Sequence, residues 1–127
     1  MQDAIRAHSH PPAAPRGGSY SSALAFAGFI MVSGQGPFDA TGNVVHGSIE
    51  EETGRTLKNI RLHLQAAGAR LDQVVRCGCF LADMRDYAAF DRVYRTFFRE
   101  PFPCRTTVQA GLDNIEVEID ALAYTAS

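Results

Sequence analysis

Apolar and polar positions change period along this chain, and the period predicts the element. Strand-like runs at Tyr20–Phe26 and Phe29–Ser33, parted by Ala27-Gly28, predict two strands joined by a tight turn. Gly34-Gln35-Gly36-Pro37 breaks the second run, and a turn at Asp39–Asn43 leads to a short strand at Val44-Val45. From Ile49 the period lengthens. Ile49, Thr53, Leu57, Ile60, Leu64 and Ala67 recur at helical spacing, with Gly68 as the stop. Ser48 with Glu51 three residues on is a capping box, and Glu50, Glu51 and Glu52 suit the positive end of a helix dipole. Val74–Leu81 reads as a strand. Asp83 and Asp86 open a second helix whose apolar stripe is Tyr87, Phe90, Tyr94, Phe97 and Phe98, read as core. Pro101-Phe102-Pro103 ends that helix, and Cys104–Ala110 and Ile115–Ala121 return to strict alternation.

This order predicts a two-layer α+β domain, with two helices gathered on one face of a mixed sheet. Residues 1–18, rich in proline and glycine and without periodicity, are expected as a flexible N-terminal arm, and 19–127 as a single domain. A sheet with one helical layer, and with strands such as Val74–Leu81 apolar on both faces, leaves a face to be covered. A ring-like homo-oligomer is the expected solution.

The last two alternating runs carry the candidate chemistry. In the first, Arg105, Thr107 and Gln109 share a face; in the second, Glu116, Glu118 and Asp120 do. If Gly111–Asn114 is a four-residue hairpin turn, Arg105 lies opposite Asp120 and Thr107 opposite Glu118, with Glu118 diagonal to Arg105. One reading is cross-strand charge pairing, worth ~0.2–1 kcal/mol. The other is a site for a small keto- or imino-acid. An arginine grips a carboxylate by two parallel hydrogen bonds, and a nearby carboxylate orients or deprotonates a water.

Composition narrows the class. The 127 residues, 46% hydrophobic and 20% charged, are those of an ordinary globular domain. Twelve basic against fourteen acidic residues give a net charge of −2, with Lys58 the only lysine and no basic run. Nucleic-acid and anionic-membrane binding are therefore not expected. No apolar stretch approaches the ~20 residues of a membrane span, no secretory signal is read at the N-terminus, and three cysteines argue against a disulfide scaffold. A cytoplasmic protein is expected.

Other candidates are weaker. Cys77 and Cys79 share a strand face and read as buried inert thiols, while alternation turns Cys104 away from Arg105. His8, His10, His46 and His63 are scattered, so no metal site is expected. Ser33-Gly34-Gln35-Gly36 lacks phosphate-loop and dinucleotide patterns. It is either a turn or a loop whose backbone approaches a ligand closely. Tyr20 is either a half-buried aromatic or a pocket wall.

Together these segments resemble the RidA/YjgF family, whose members are often labelled endoribonuclease L-PSP or translation-initiation inhibitor. The resemblance runs from about Gly18 to Tyr124. It rests on Gly18-Ser19-Tyr20, Met31-Val32-Ser33-Gly34-Gln35, Thr56-Leu57-Lys58-Asn59-Ile60 with Ala66-Ala67-Gly68, and Phe80-Leu81-Ala82-Asp83-Met84. Phe97-Phe98, Phe102-Pro103-Cys104-Arg105-Thr106 and Val117-Glu118-Ile119-Asp120-Ala121-Leu122-Ala123 complete it. The resemblance implies a chorismate-mutase-like fold assembled as a homotrimer with clefts between subunits. It also implies cofactor-free hydrolysis of 2-enamine and 2-imine acids, such as 2-aminoacrylate and 2-iminopropanoate. By position, Arg105 would clamp the substrate carboxylate and Glu118 would position the water. Tyr20, Ser33 and Gly34 would line the cleft. Thr107 stands where many members carry cysteine, and the Gly111–Asn114 turn is about two residues shorter than in the enteric type. Both departures alter the pocket mouth and bear on the substrate.

The expected reaction is attack of water on the C=N carbon, giving a 2-keto acid and ammonia, with orientation and electrostatics sufficing. Three alternatives stand beside it: a catabolic deaminase of a larger enamine, a non-catalytic binder of small carboxylates, and an endoribonuclease. The charge balance and the lack of a histidine pair oppose the last.

Overall fold

The computed structural model describes residues 4–8 and 17–125. Six strands form one mixed sheet: β1 (Arg6–His8), β2 (Ala23–Phe26), β3 (Phe29–Gln35), β4 (Val74–Leu81), β5 (Cys104–Gln109) and β6 (Val117–Tyr124). Their order is β1-β2-β3-β6-β4-β5. Helices α1 (Ile49–Ala66) and α2 (Tyr87–Phe97) complete the two-layer α+β architecture.

Helix α1 begins where the sequence places it. Ser48 Oγ accepts from the Glu51 backbone N–H at 3.1 Å, and Glu51 Oε1 accepts from the Ser48 N–H at 3.0 Å. Leu57, Ile60 and Leu64 are wholly buried against the sheet, each contributing ~1.5–3 kcal/mol of transfer free energy. They meet Cys77, Cys79 and Leu81 of β4 and Val117, Ile119 and Ala121 of β6 in one core. Phe90 and Tyr94 bring α2 onto the same core. Among the described residues the other sheet face carries no helix, and it presents Met31 and Val108 to solvent.

Three expectations are corrected. The last two strands do not form a hairpin: β4 lies between them, parallel to β5 and antiparallel to β6. The segment expected as an arm supplies an edge strand, with Arg6–His8 antiparallel to β2; residues 9–16 of that segment lie outside the described residues. At Val44-Val45 only an isolated bridge forms, between Phe38 and Val44.

Candidate active site

Arg105 is the second residue of β5 and stands in one row with Cys77 and Ala121, both core-facing. Alternation therefore aims it toward α2. Its Nη1 donates to Asp91 Oδ1 at 2.8 Å, and its Nη2 donates to the Tyr87 hydroxyl. The guanidinium carbon lies 4.6 Å from the Tyr94 ring centroid, with Tyr87 and Phe90 at 5.4 and 5.5 Å. Cation–π attraction and one ion pair thus hold a side chain that is 17% exposed. Asp91 is shared, for its Oδ2 accepts from Arg95 Nη2 at 3.0 Å. Burial opposes ionisation of Asp91, but the hydrogen bonds from Arg105 and Arg95 outweigh it and hold the carboxyl below its usual range. Burial likewise opposes the Arg105 charge, and the Asp91 hydrogen bond offsets it only together with the favourable charge interactions of Tyr87, Asp91 and Cys79, which leaves the guanidinium pKa raised. A cavity of about 270 Å³ opens here, lined by Asp91, Tyr94, Arg95, Phe102, Pro103 and Arg105.

Glu118 and Asp120 stand on the opposite face of the sheet. They occupy the rows of Phe80 and Gly78 on β4, between the core-facing rows of Cys77, Cys79 and Leu81. Glycines make room for both. A Cβ at Gly34 would meet Glu118 Oε2 at 2.7 Å, and one at Gly78 would meet Asp120 Oδ1 at 2.7 Å. The Gly78 N–H donates to that Asp120 oxygen at 2.9 Å. Partial burial, and then the Asp120 charge, push the Glu118 pKa up. Beside these carboxylates a cavity of about 590 Å³ is lined by Tyr20, Ser33, Gly34, Arg76, Asp120 and neighbouring apolar side chains. The Ser33 hydroxyl donates to the Ser21 carbonyl at 2.6 Å, and the Tyr20 hydroxyl accepts from the Gly17 N–H at 3.1 Å.

The expected site residues therefore fall into two groups within one chain. Tyr20, Ser33, Gly34 and Glu118 gather on the open face. Arg105 faces α2, and Thr107, in the row of Cys79, lies on the same core-facing side of the sheet. The expectation that Arg105 and the carboxylates share a face is corrected. A hairpin would have paired Arg105 with Asp120, whereas the real row runs Arg105, Cys77, Ala121. An offset of one residue turns a whole strand over.

Burial pushes the Cys77 thiol up to about 11 and the Cys79 thiol higher still, which leaves both protonated and unreactive near neutrality. Among the described residues no three His, Cys, Asp or Glu side chains converge as a metal site requires. Within the same bounds no helix is long and apolar enough to cross a membrane. Sequence reasoning missed Asp91, Tyr87 and Tyr94 as partners of Arg105. The two tyrosines were visible as an apolar stripe, and Asp91 lies four residues after one and three before the other, on their flank.

Fold and site together define a two-layer α+β domain with an arginine-anchored pocket on its helical side and a carboxylate-lined pocket on its open side. The chain belongs to the Endoribonuclease L-PSP family, which it matches over residues 10–125 and which is the RidA/YjgF family under another label. A RutC family protein of Pyrococcus abyssi is 39% identical over 110 residues, covering 84% of this chain and 87% of its own. The crystal structure of yeast Mmf1 superposes with a TM-score of 0.92 at 32% identity, covering 97% of this chain and all of that one. RidA from the Antarctic bacterium Psychrobacter sp. superposes with a TM-score of 0.88 at 30% identity, covering 94% of this chain and 98% of its own.

Proposed function

We propose that this protein hydrolyses reactive 2-imine and 2-enamine acids to 2-keto acids and ammonia, without a cofactor, in clefts between the copies of a homotrimer. The observation that carries this reading is the division of the site. Arg105 and Glu118 lie on opposite faces of one sheet, so they can serve one substrate only across an interface. The open face, with Tyr20, Met31 and Val108 exposed, offers the surface for such an interface. A cyclic assembly sets one copy's open face against the next copy's β5 edge and repeats the contact until it closes.

In that cleft Arg105 takes the substrate carboxylate. It spends only part of its donor set on Asp91 and Tyr87, which leaves N–H groups for two-point binding. Its pairing with aromatic faces and Asp91 fixes the anchor before substrate arrives. The partner subunit's Glu118, ionised, accepts a proton from the attacking water as oxygen bonds to the C=N carbon. The C=N electron pair moves to nitrogen, which takes back the proton held by Glu118. The hydroxyl of the adduct then loses its own proton to Glu118 and on to the nitrogen as the C–N bond breaks, so ammonia leaves, the keto group forms and Glu118 is again ionised. An imine is already electrophilic, so orientation and charge suffice. A carboxylate binder without turnover would use the same anchor, and the assay separates the two readings.

The test is a coupled assay in which an amino-acid oxidase generates 2-iminopropanoate and semicarbazide traps it. Wild-type protein should abolish trapping. Arg105→Lys keeps the charge but loses the planar fork, so kcat/KM should fall on the order of a hundredfold. Near-normal turnover by that variant would remove Arg105 from the mechanism, and no turnover by wild type would leave carboxylate binding as the function.

A further inference from the structure

The pairing of Arg105 with Asp91 gives the anchor pocket a charge preference as well as a position. We propose that Asp91 makes this pocket selective for 2-imino and 2-keto acids whose side chains are uncharged, and turns away those bearing a second carboxylate. The inference rests on the reading of Arg105 as the carboxylate anchor.

Three observations support it. Asp91 lines the same cavity as Arg105 and contacts its guanidinium directly at 2.8 Å, so a ligand gripped by Arg105 lies beside a fixed negative charge. The pair is mostly shielded, with side chains 17% and 25% exposed, so its charges are felt more strongly than surface charges are. Arg95, which could in principle greet a second carboxylate, is committed to Asp91 Oδ2 at 3.0 Å. Its side chain is 65% exposed, which leaves its charge screened by water and salt. One substrate carboxylate thus meets the one shielded cation in the pocket. A second would meet Asp91.

The remaining walls fit the same class. Phe102, Pro103 and Tyr94 offer apolar and aromatic surface and no shielded cation. At about 270 Å³ the cavity suits a ligand of amino-acid size, just below the ~300–1,000 Å³ range of pockets for larger ligands.

The test measures binding, so it does not depend on turnover. Wild-type protein, Asp91→Asn and Arg105→Ala are titrated by calorimetry with 2-oxobutanoate and with 2-oxoglutarate, which differ in the second carboxylate. Wild type should favour 2-oxobutanoate by about tenfold or more, and Asp91→Asn should shrink that preference severalfold while still binding 2-oxobutanoate. A merely structural role for Asp91 would weaken both ligands together and leave their ratio unchanged. An unchanged ratio, or a wild-type preference for 2-oxoglutarate, overturns the proposal. Equal binding by Arg105→Ala and wild type overturns instead the anchor on which it rests, and takes the proposal with it.

Discussion

At the scale of single residues, the candidate site holds two charges unlike their exposed counterparts. Arg105 lies over the rings of Tyr87, Phe90 and Tyr94 and is locked by Asp91, so the anchoring role proposed for it would leave little freedom to lose on binding. Glu118 is pushed the other way. Partial burial, and then Asp120, disfavour its ionised form and raise its pKa. A raised carboxyl pKa means that the proton stays on to a higher pH, whereas the role of base proposed for Glu118 requires the ionised form. Activity should therefore fall as pH drops through a value above the ordinary ~4.3 of glutamate. The acid limb of kcat/KM against pH reads this directly, and Glu118→Gln should remove the limb together with most of the activity. An acid limb at or below the ordinary value would contradict Glu118 as the base.

At the scale of elements, β3 and α2 are the scaffolds that aim these groups. Gly34 lets the Glu118 carboxylate lie against β3, and its φ is outside the left-handed region, so alanine fits the backbone there. Gly34→Ala should displace the flexible end of Glu118 and lower kcat/KM on the order of a hundredfold, while denaturant unfolding shifts by less than ~1 kcal/mol. Equal losses of stability and activity would instead assign Gly34 to the fold. Phe90 is wholly buried between α2 and the sheet. Phe90→Ala should cost ~3–5 kcal/mol in a urea titration, by transfer and cavity formation. The elements were largely legible in the sequence because each has a clean period: β4 spans Val74–Leu81 as read, and the Ser48–Glu51 box starts α1. Strand neighbours were not. Alternation gives the two faces of a strand but does not say which strand lies beside it, so β5 and β6 looked like a hairpin while β4 lay between them. Asp91 was missed for a related reason, since its partner is set by the packing of α2 over β5, which no local pattern records.

At the scale of the whole molecule, one sheet serves two environments. Its helical side holds the core and the Arg105 pocket; its open side holds the Glu118 carboxylate and exposed apolar residues. The central claim, that catalysis joins these two sides from different copies, is tested most directly by subunit complementation. Arg105→Ala and Glu118→Ala are purified as inactive proteins, unfolded, mixed in equal amounts and refolded together, and 2-iminopropanoate hydrolysis is then measured. Random assembly pairs an intact Arg105 with an intact Glu118 in about a quarter of the clefts of a cyclic trimer. The mixture should therefore regain about a quarter of the activity of wild type refolded in parallel. A mixture as inactive as its two components, with wild type active, would contradict a site shared between subunits.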